Sequence, residues 1–142
     1  MLLVVGKAVY VFAYYEWTII WIVEHLVTGF VSTYSRGNPM TSGDVQKRLQ
    51  NVINNSLTYF SKISQQELQE CCDTFGILIV KRNALIHAHP VTDTDGAQIL
   101  AYQTKISKPL PNMKWPTPEV EKIIFEIDTA ACDAAVLLDK IR

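Results

Sequence analysis

Apolar residues recur at helical spacing through most of the chain. Ala8, Phe12, Tyr15, Ile19, Ile22, Val23, Leu26 and Phe30 keep a three-to-four-residue period, which predicts a helix over residues 8–31. Aromatic and β-branched residues fill most of its other faces as well. A helix apolar nearly all round is buried on several sides, so a second copy of the chain is the first cover to suspect. Ser35-Arg-Gly-Asn-Pro39 then reads as a loop. Ser42 or Thr41 caps a second helix, with Asp44 near its positive end and Val45, Leu49, Val52, Ile53, Leu57 and Phe60 on its apolar face.

Ser64 and Glu67 have capping-box spacing, and Ile63 can staple onto Leu68, so a third helix starts there. Leu68, Cys72, Phe75, Ile79 and Ile86 carry its period, Gly76 lies inside it, and Pro90 ends it. The pattern then changes. Val91-Thr-Asp-Thr-Asp-Gly96 and Ala97 through Ile106 read as a short β-hairpin turning at Asp95-Gly96. Residues 107–116 hold Pro109, Pro111 and Pro116 and read as irregular. Thr117-Pro118-Glu119 opens a last helix as N-cap, first-turn proline and acidic first turn, with apolar positions from Val120 to Ile141. The expected fold is all-α, a four-helix bundle with a short β-hairpin inserted before the last helix, in one domain over residues 1–142.

Composition narrows the class. With 49% hydrophobic and 19% charged residues the chain is too apolar to be disordered. Lys7, Glu16, Glu24 and His25 break the apolar N-terminal stretch into runs shorter than a membrane span needs, and MLLVV lacks a basic leader, so the expectation is a cytoplasmic protein without a membrane partner. Three cysteines, two of them adjacent, give no disulfide framework. The formal net charge is −1, so any phosphate recognition must be local.

One cluster carries chemistry: Lys81-Arg82-Asn83-Ala84-Leu85-Ile86-His87, on the last two turns of the third helix. Asn83 and His87 are four apart and share a face, while Arg82 is rotated by about 100° from Asn83. Such a trio suits attack of an RNA 2′-hydroxyl on its own phosphate. Histidine moves protons near neutral pH, and arginine presents a fork to phosphate oxygens and offsets charge on the phosphorane. Asn83 orients an oxygen or the imidazole. No metal or cofactor is needed. Base and acid are both required, yet the cluster holds one histidine, so two chains meeting across their clusters would complete the site. His89 is another proton carrier, and Lys81 and His89 are assigned to substrate binding.

Arg82-Asn83-x-x-x-His87 resembles the signature of the HEPN superfamily (higher eukaryotes and prokaryotes nucleotide-binding), whose members are small helical bundles. The likeness in layout extends over roughly residues 8–141. It implies a homodimeric, metal-independent endoribonuclease that cuts single-stranded RNA to a 2′,3′-cyclic phosphate, as a toxin or phage-defence component, with an antitoxin or regulatory protein as a further partner. Catalytic roles carry over to Arg82, Asn83 and His87 alone. Where toxins of this superfamily have a tyrosine two positions after the histidine, modified by a nucleotidyltransferase antitoxin, this chain has His89. The alternative is a non-catalytic HEPN-like module that binds nucleotide, RNA or protein.

Other groups read more plainly. Cys71, Cys72, His87 and His89 lack zinc-finger spacing. His25 is a structural histidine, and Glu16 and Glu24 form the solvated edge of the first helix, although Glu16 could instead reach Arg82. Asp93-Thr-Asp95-Gly96 is a turn. Arg36, Lys47, Arg48, Lys81, Lys105, Lys108 and Lys114 could border a phosphate groove beside the cluster, but scattered on a neutral protein they read as solvated surface, and Tyr34, Tyr102 and Trp115 pack or stack bases equally well.

Overall fold

Local capping chemistry and one shared apolar core set the elements of this chain. The computed structural model describes residues 2–35, 40–55, 63–102 and 113–142. Over these the protein is mostly helical, with five helices: α1 Leu2–Leu26, α2 Phe30–Ser35, α3 Ser42–Asn55, α4 Gln65–Ile86 and α5 Thr117–Ile141. Three strands, β1 His89–Thr92, β2 Gln98–Tyr102 and β3 Met113–Trp115, form an antiparallel sheet in that order between α4 and α5.

The α4 start is the capping box read from the sequence. The Glu67 amide donates to Ser64 Oγ at 3.1 Å, and the Ser64 amide donates to Glu67 Oε2 at 2.8 Å. Lys140 on α5 reaches the other Glu67 oxygen at 3.1 Å. Lys81 near the far end of α4 pairs with Glu126 at 2.8 Å, so the two ion pairs show α4 and α5 running antiparallel.

Four sequence expectations are corrected. The single helix over residues 8–31 is two helices, because Gly29 adopts φ 99° and Glu24 caps the break. Its carboxylate accepts the Gly29 amide at 2.7 Å and the Val31 amide at 3.1 Å, so Glu24 is a cap and not merely a solvated edge. Residues 107–116 are not wholly irregular, since Met113–Trp115 pairs with β2, Trp115 opposite Leu100. The hairpin is therefore part of a three-stranded sheet. In α5 the cap is Pro116, without a side-chain hydrogen bond, and Thr117 is already helical. The second helix is described to Asn55, and Leu57 and Phe60 lie outside the described residues, as does the hairpin beyond Tyr102.

The core closes around an aromatic trio. Phe12, Tyr15 and Phe75 meet with ring centroids 5.4–6.0 Å apart. Ile19, Ile22, Leu49, Leu68, Ile123 and Ile127 pack with them, all buried. By length and composition alone α1 could cross a membrane, with a mean hydropathy of 1.3 in an 18-residue window of Leu3–Leu26. Here one of its faces is the core of the chain, while Leu3, Tyr10, Tyr14 and Trp17 on the opposite face are exposed.

Three carboxylates are held below their ordinary pKa: Glu67 by the Ser64 amide and then Lys140, Asp44 by the Thr41 amide, and Asp93 by Lys114. A carboxyl whose pKa is lower when folded stabilises the fold above its ordinary value and loses that contribution as pH falls through the lowered one. The melting temperature is expected to drop as pH falls below about 4.5, the ordinary Glu67 value, and Glu67→Gln should show a smaller drop. Thermal melts followed by circular dichroism check this; an identical drop in the variant would rule out the Glu67 contribution.

Candidate functional site

Arg82 is where three helices meet. It lies on the penultimate turn of α4, half-buried, with its guanidinium carbon 4.3 Å from the centroid of the Phe12 ring on α1. Its Nη2 donates to Ser42 Oγ at 2.7 Å, and that hydroxyl donates to Glu16 Oε1 at 2.8 Å. Arg82 Nε is buried without a partner among the described residues. Burial pushes the Arg82 pKa down, and the Glu16 charge pushes it back up. An arginine stays protonated through such a change, so the site keeps a fixed cation.

Capping explains why Ser42 is available for this. Thr41 Oγ1 accepts the Asp44 amide at 3.2 Å, and the Thr41 amide donates to Asp44 Oδ2 at 3.0 Å. That reciprocal pair caps α3. Ser42, one residue on, is buried and has its hydroxyl free to join Arg82 to Glu16.

Asn83 and His87 stand at the edge of the same groove, both exposed. His87 ends α4 with φ −92° and ψ 6°, its amide donating to the Asn83 carbonyl at 3.0 Å. Neither side chain has a hydrogen-bond partner among the described residues. The groove measures about 670 Å³ and is also lined by Glu16, Ser42, Tyr34 and Ile86. The phenol of Tyr34 is held neutral to higher pH by burial and then by the Glu16 charge. The site thus offers a tethered guanidinium, a free amide, a free imidazole and a phenol around one opening.

The other assigned residues lie elsewhere. Lys81 precedes Arg82 by one position, so it turns toward α5, pairs with Glu126 and borders a separate groove beside Trp115. His89 opens β1 opposite Ala101, exposed and away from the lining of the Arg82 groove. Burial pushes the Cys71 thiol up to about 12 and the Cys72 thiol to about 11. Both are protonated, and Cys72 Sγ sits 3.7 Å from the Gln46 carbonyl within the α3–α4 contact.

Comparison with known proteins gives no match. No family model fits the chain, and no curated protein or solved structure is similar to it. The site is read from its own chemistry.

Ser42 was visible in the sequence only as a helix cap; the signal for more was the Thr41-x-x-Asp44 spacing, which makes Thr41 the cap and releases Ser42. Ser42→Ala removes the shared hydroxyl and leaves two charged groups each short of a partner. Hydrogen bonds to charged groups contribute about 1.5–3 kcal/mol, and a stability loss of that order is expected in urea unfolding with an unchanged m-value. Ser42→Thr, which keeps the hydroxyl, should recover most of it.

Proposed function

We propose that this chain is a metal-independent endoribonuclease of HEPN type, a four-helix bundle of α1, α3, α4 and α5 that cuts single-stranded RNA as a homodimer. What carries the reading is one arrangement: Arg82, Asn83 and His87 border a single open groove, with the arginine anchored and the other two side chains free. RNA cleavage by the 2′-hydroxyl can use each of those groups. Imidazole takes the proton from the 2′-oxygen as that oxygen bonds to phosphorus. Arg82 offsets the negative charge that builds on the phosphorane. The bond to the 5′-oxygen then breaks, and an imidazolium returns a proton to it, leaving a 2′,3′-cyclic phosphate. Asn83 holds an oxygen of the substrate.

The groove contains one histidine and the reaction uses two proton positions, so the partner copy supplies the second. The α4 surface supports such pairing: Ile77 and Val80 are exposed on the stretch that leads to His87, and Ile86 is exposed beside the groove. A cytoplasmic toxin or phage-defence role, held in check by an antitoxin or regulatory protein, goes with this activity. One observation favours a second reading, a binding module without cleavage. The Arg82 guanidinium is drawn under Phe12 and bonded to Ser42, as a purely structural arginine would be.

His87→Ala decides between them. Its side chain is exposed at a helix end, so folding should be unaffected, while cleavage of a fluorescent single-stranded RNA in EDTA should fall by roughly 10²–10⁴-fold. Mass spectrometry of the wild-type products should find cyclic phosphate termini. Undiminished cleavage by the variant, or wild-type activity lost on chelation, would overturn the nuclease reading. Pairing is checked separately: Val80→Glu should shift sedimentation from dimer to monomer and abolish cleavage in parallel, and a monomer that cuts at the wild-type rate would end the shared-site mechanism.

A further inference from the structure

A second groove, of about 700 Å³, meets the first at Met40, which lines both. Its size is within the range of small-molecule sites, roughly 300–1,000 Å³. Val27, Phe30 and Met40 give it an apolar side, and Lys47, Arg48 and Asn51 on α3 give it a polar one. Both cations are exposed and neither makes an ion pair among the described residues. The Asp44 carboxylate also lines this groove; it accepts the Thr41 amide and interacts with the Lys47 charge, while Arg48 has no carboxylate partner among the described residues. Asn51 has its side-chain oxygen taken by Asn55 Nδ2 at 2.6 Å, which leaves its amide donors.

Met40 connects the two grooves, since it lines both. A strand bound with one phosphate at Arg82 and running past Met40 enters the groove that Lys47 and Arg48 border.

We propose that this second groove is a nucleotide subsite for single-stranded RNA, holding the residue next to the scissile linkage. Its base lies against Val27, Phe30 and Met40, and its phosphate lies between Lys47 and Arg48. Asn51 donates to a base edge. The assignment rests on the nuclease reading for the strand's place at Arg82, while the binding it predicts is measured without cleavage.

The test uses the full chain carrying His87→Ala, with labelled single-stranded RNA of three and of eight nucleotides in an anisotropy titration over a salt series. Each phosphate neutralised on a single strand contributes about 0.7 to the slope of log affinity against log salt. Lys47→Ala with Arg48→Ala should therefore lower the slope for the octamer by about 0.7, so that between 50 and 200 mM salt the parent loses about 2.6-fold more affinity than the double variant. The gain in affinity from trimer to octamer should shrink with it. Lys47→Arg with Arg48→Lys, which keeps both charges, should retain the slope. An unchanged slope, or an equal effect on binding of an acidic peptide, overturns the subsite. If the slope falls as expected but the wild type never cuts RNA, the subsite stands and the nuclease reading fails. If the wild type cuts RNA and the slope does not move, the reverse holds.

Discussion

The Arg82 guanidinium is a permanent charge brought half out of water, and much of the site follows from how that is tolerated. Desolvating an unpaired cation is costly. Here the Phe12 ring lies against one face, where its π-electrons favour a cation, and the Ser42 hydroxyl takes an N–H. Glu16 stands behind the serine and not against the arginine. A direct ion pair would cancel the charge. Interposing a hydroxyl lengthens the separation, and Coulomb attraction falls with distance, so the guanidinium is held in place without a direct ion pair. The same bonds tie α1, α3 and α4 together at one point, which links the integrity of the core to the geometry of the site.

The first helix does several jobs at once, and its composition reflects them. Phe12 and Tyr15 stack with Phe75 in the core, Glu16 faces the groove, and Glu24 caps the following helix. The opposite face carries Leu3, Tyr10, Tyr14 and Trp17 in water. Trp17 packs edge-on to Trp21 and lies near Tyr34, so this aromatic surface continues to the rim of the Arg82 groove. A helix with so many apolar faces has a weak periodic signal, which is why both a membrane span and a buried core helix can be read from it.

What was legible in the sequence was local. The α4 start at Ser64 and the approximate α5 start were readable because neighbouring residues settle them, through a capping box in one case and a first-turn proline in the other. The shared face of Asn83 and His87 follows from helical geometry alone. What escaped depends on partners distant in sequence. Met113–Trp115 is a strand only because β2 lies beside it, and prolines on either side hide the pattern. The break at Gly29 needs the Glu24 carboxylate folded back across five and seven residues. Ser42 becomes part of the site through contacts 26 and 40 positions away, which no short-range rule connects.

Arg82 and His87 are held very differently, and the difference bears on what each can do. The arginine is tied by packing, a hydrogen bond and a neighbouring carboxylate, as suits a group that must present fixed charge with little reorganisation. The imidazole sits at the last residue of a helix, exposed, its side chain without a partner among the described residues. Among the described residues nothing orients it or selects its tautomer. A proton-transfer group needs both, since the donor and acceptor nitrogens are set by what the other nitrogen bonds. On the proposed mechanism the orienting contact comes from substrate or from a facing copy, and Ile77 and Val80 on the approach to His87 are exposed apolar residues that a second copy would meet. An isolated chain, on that mechanism, carries the charge-stabilising half of the site and leaves the proton-transfer half to be completed on assembly.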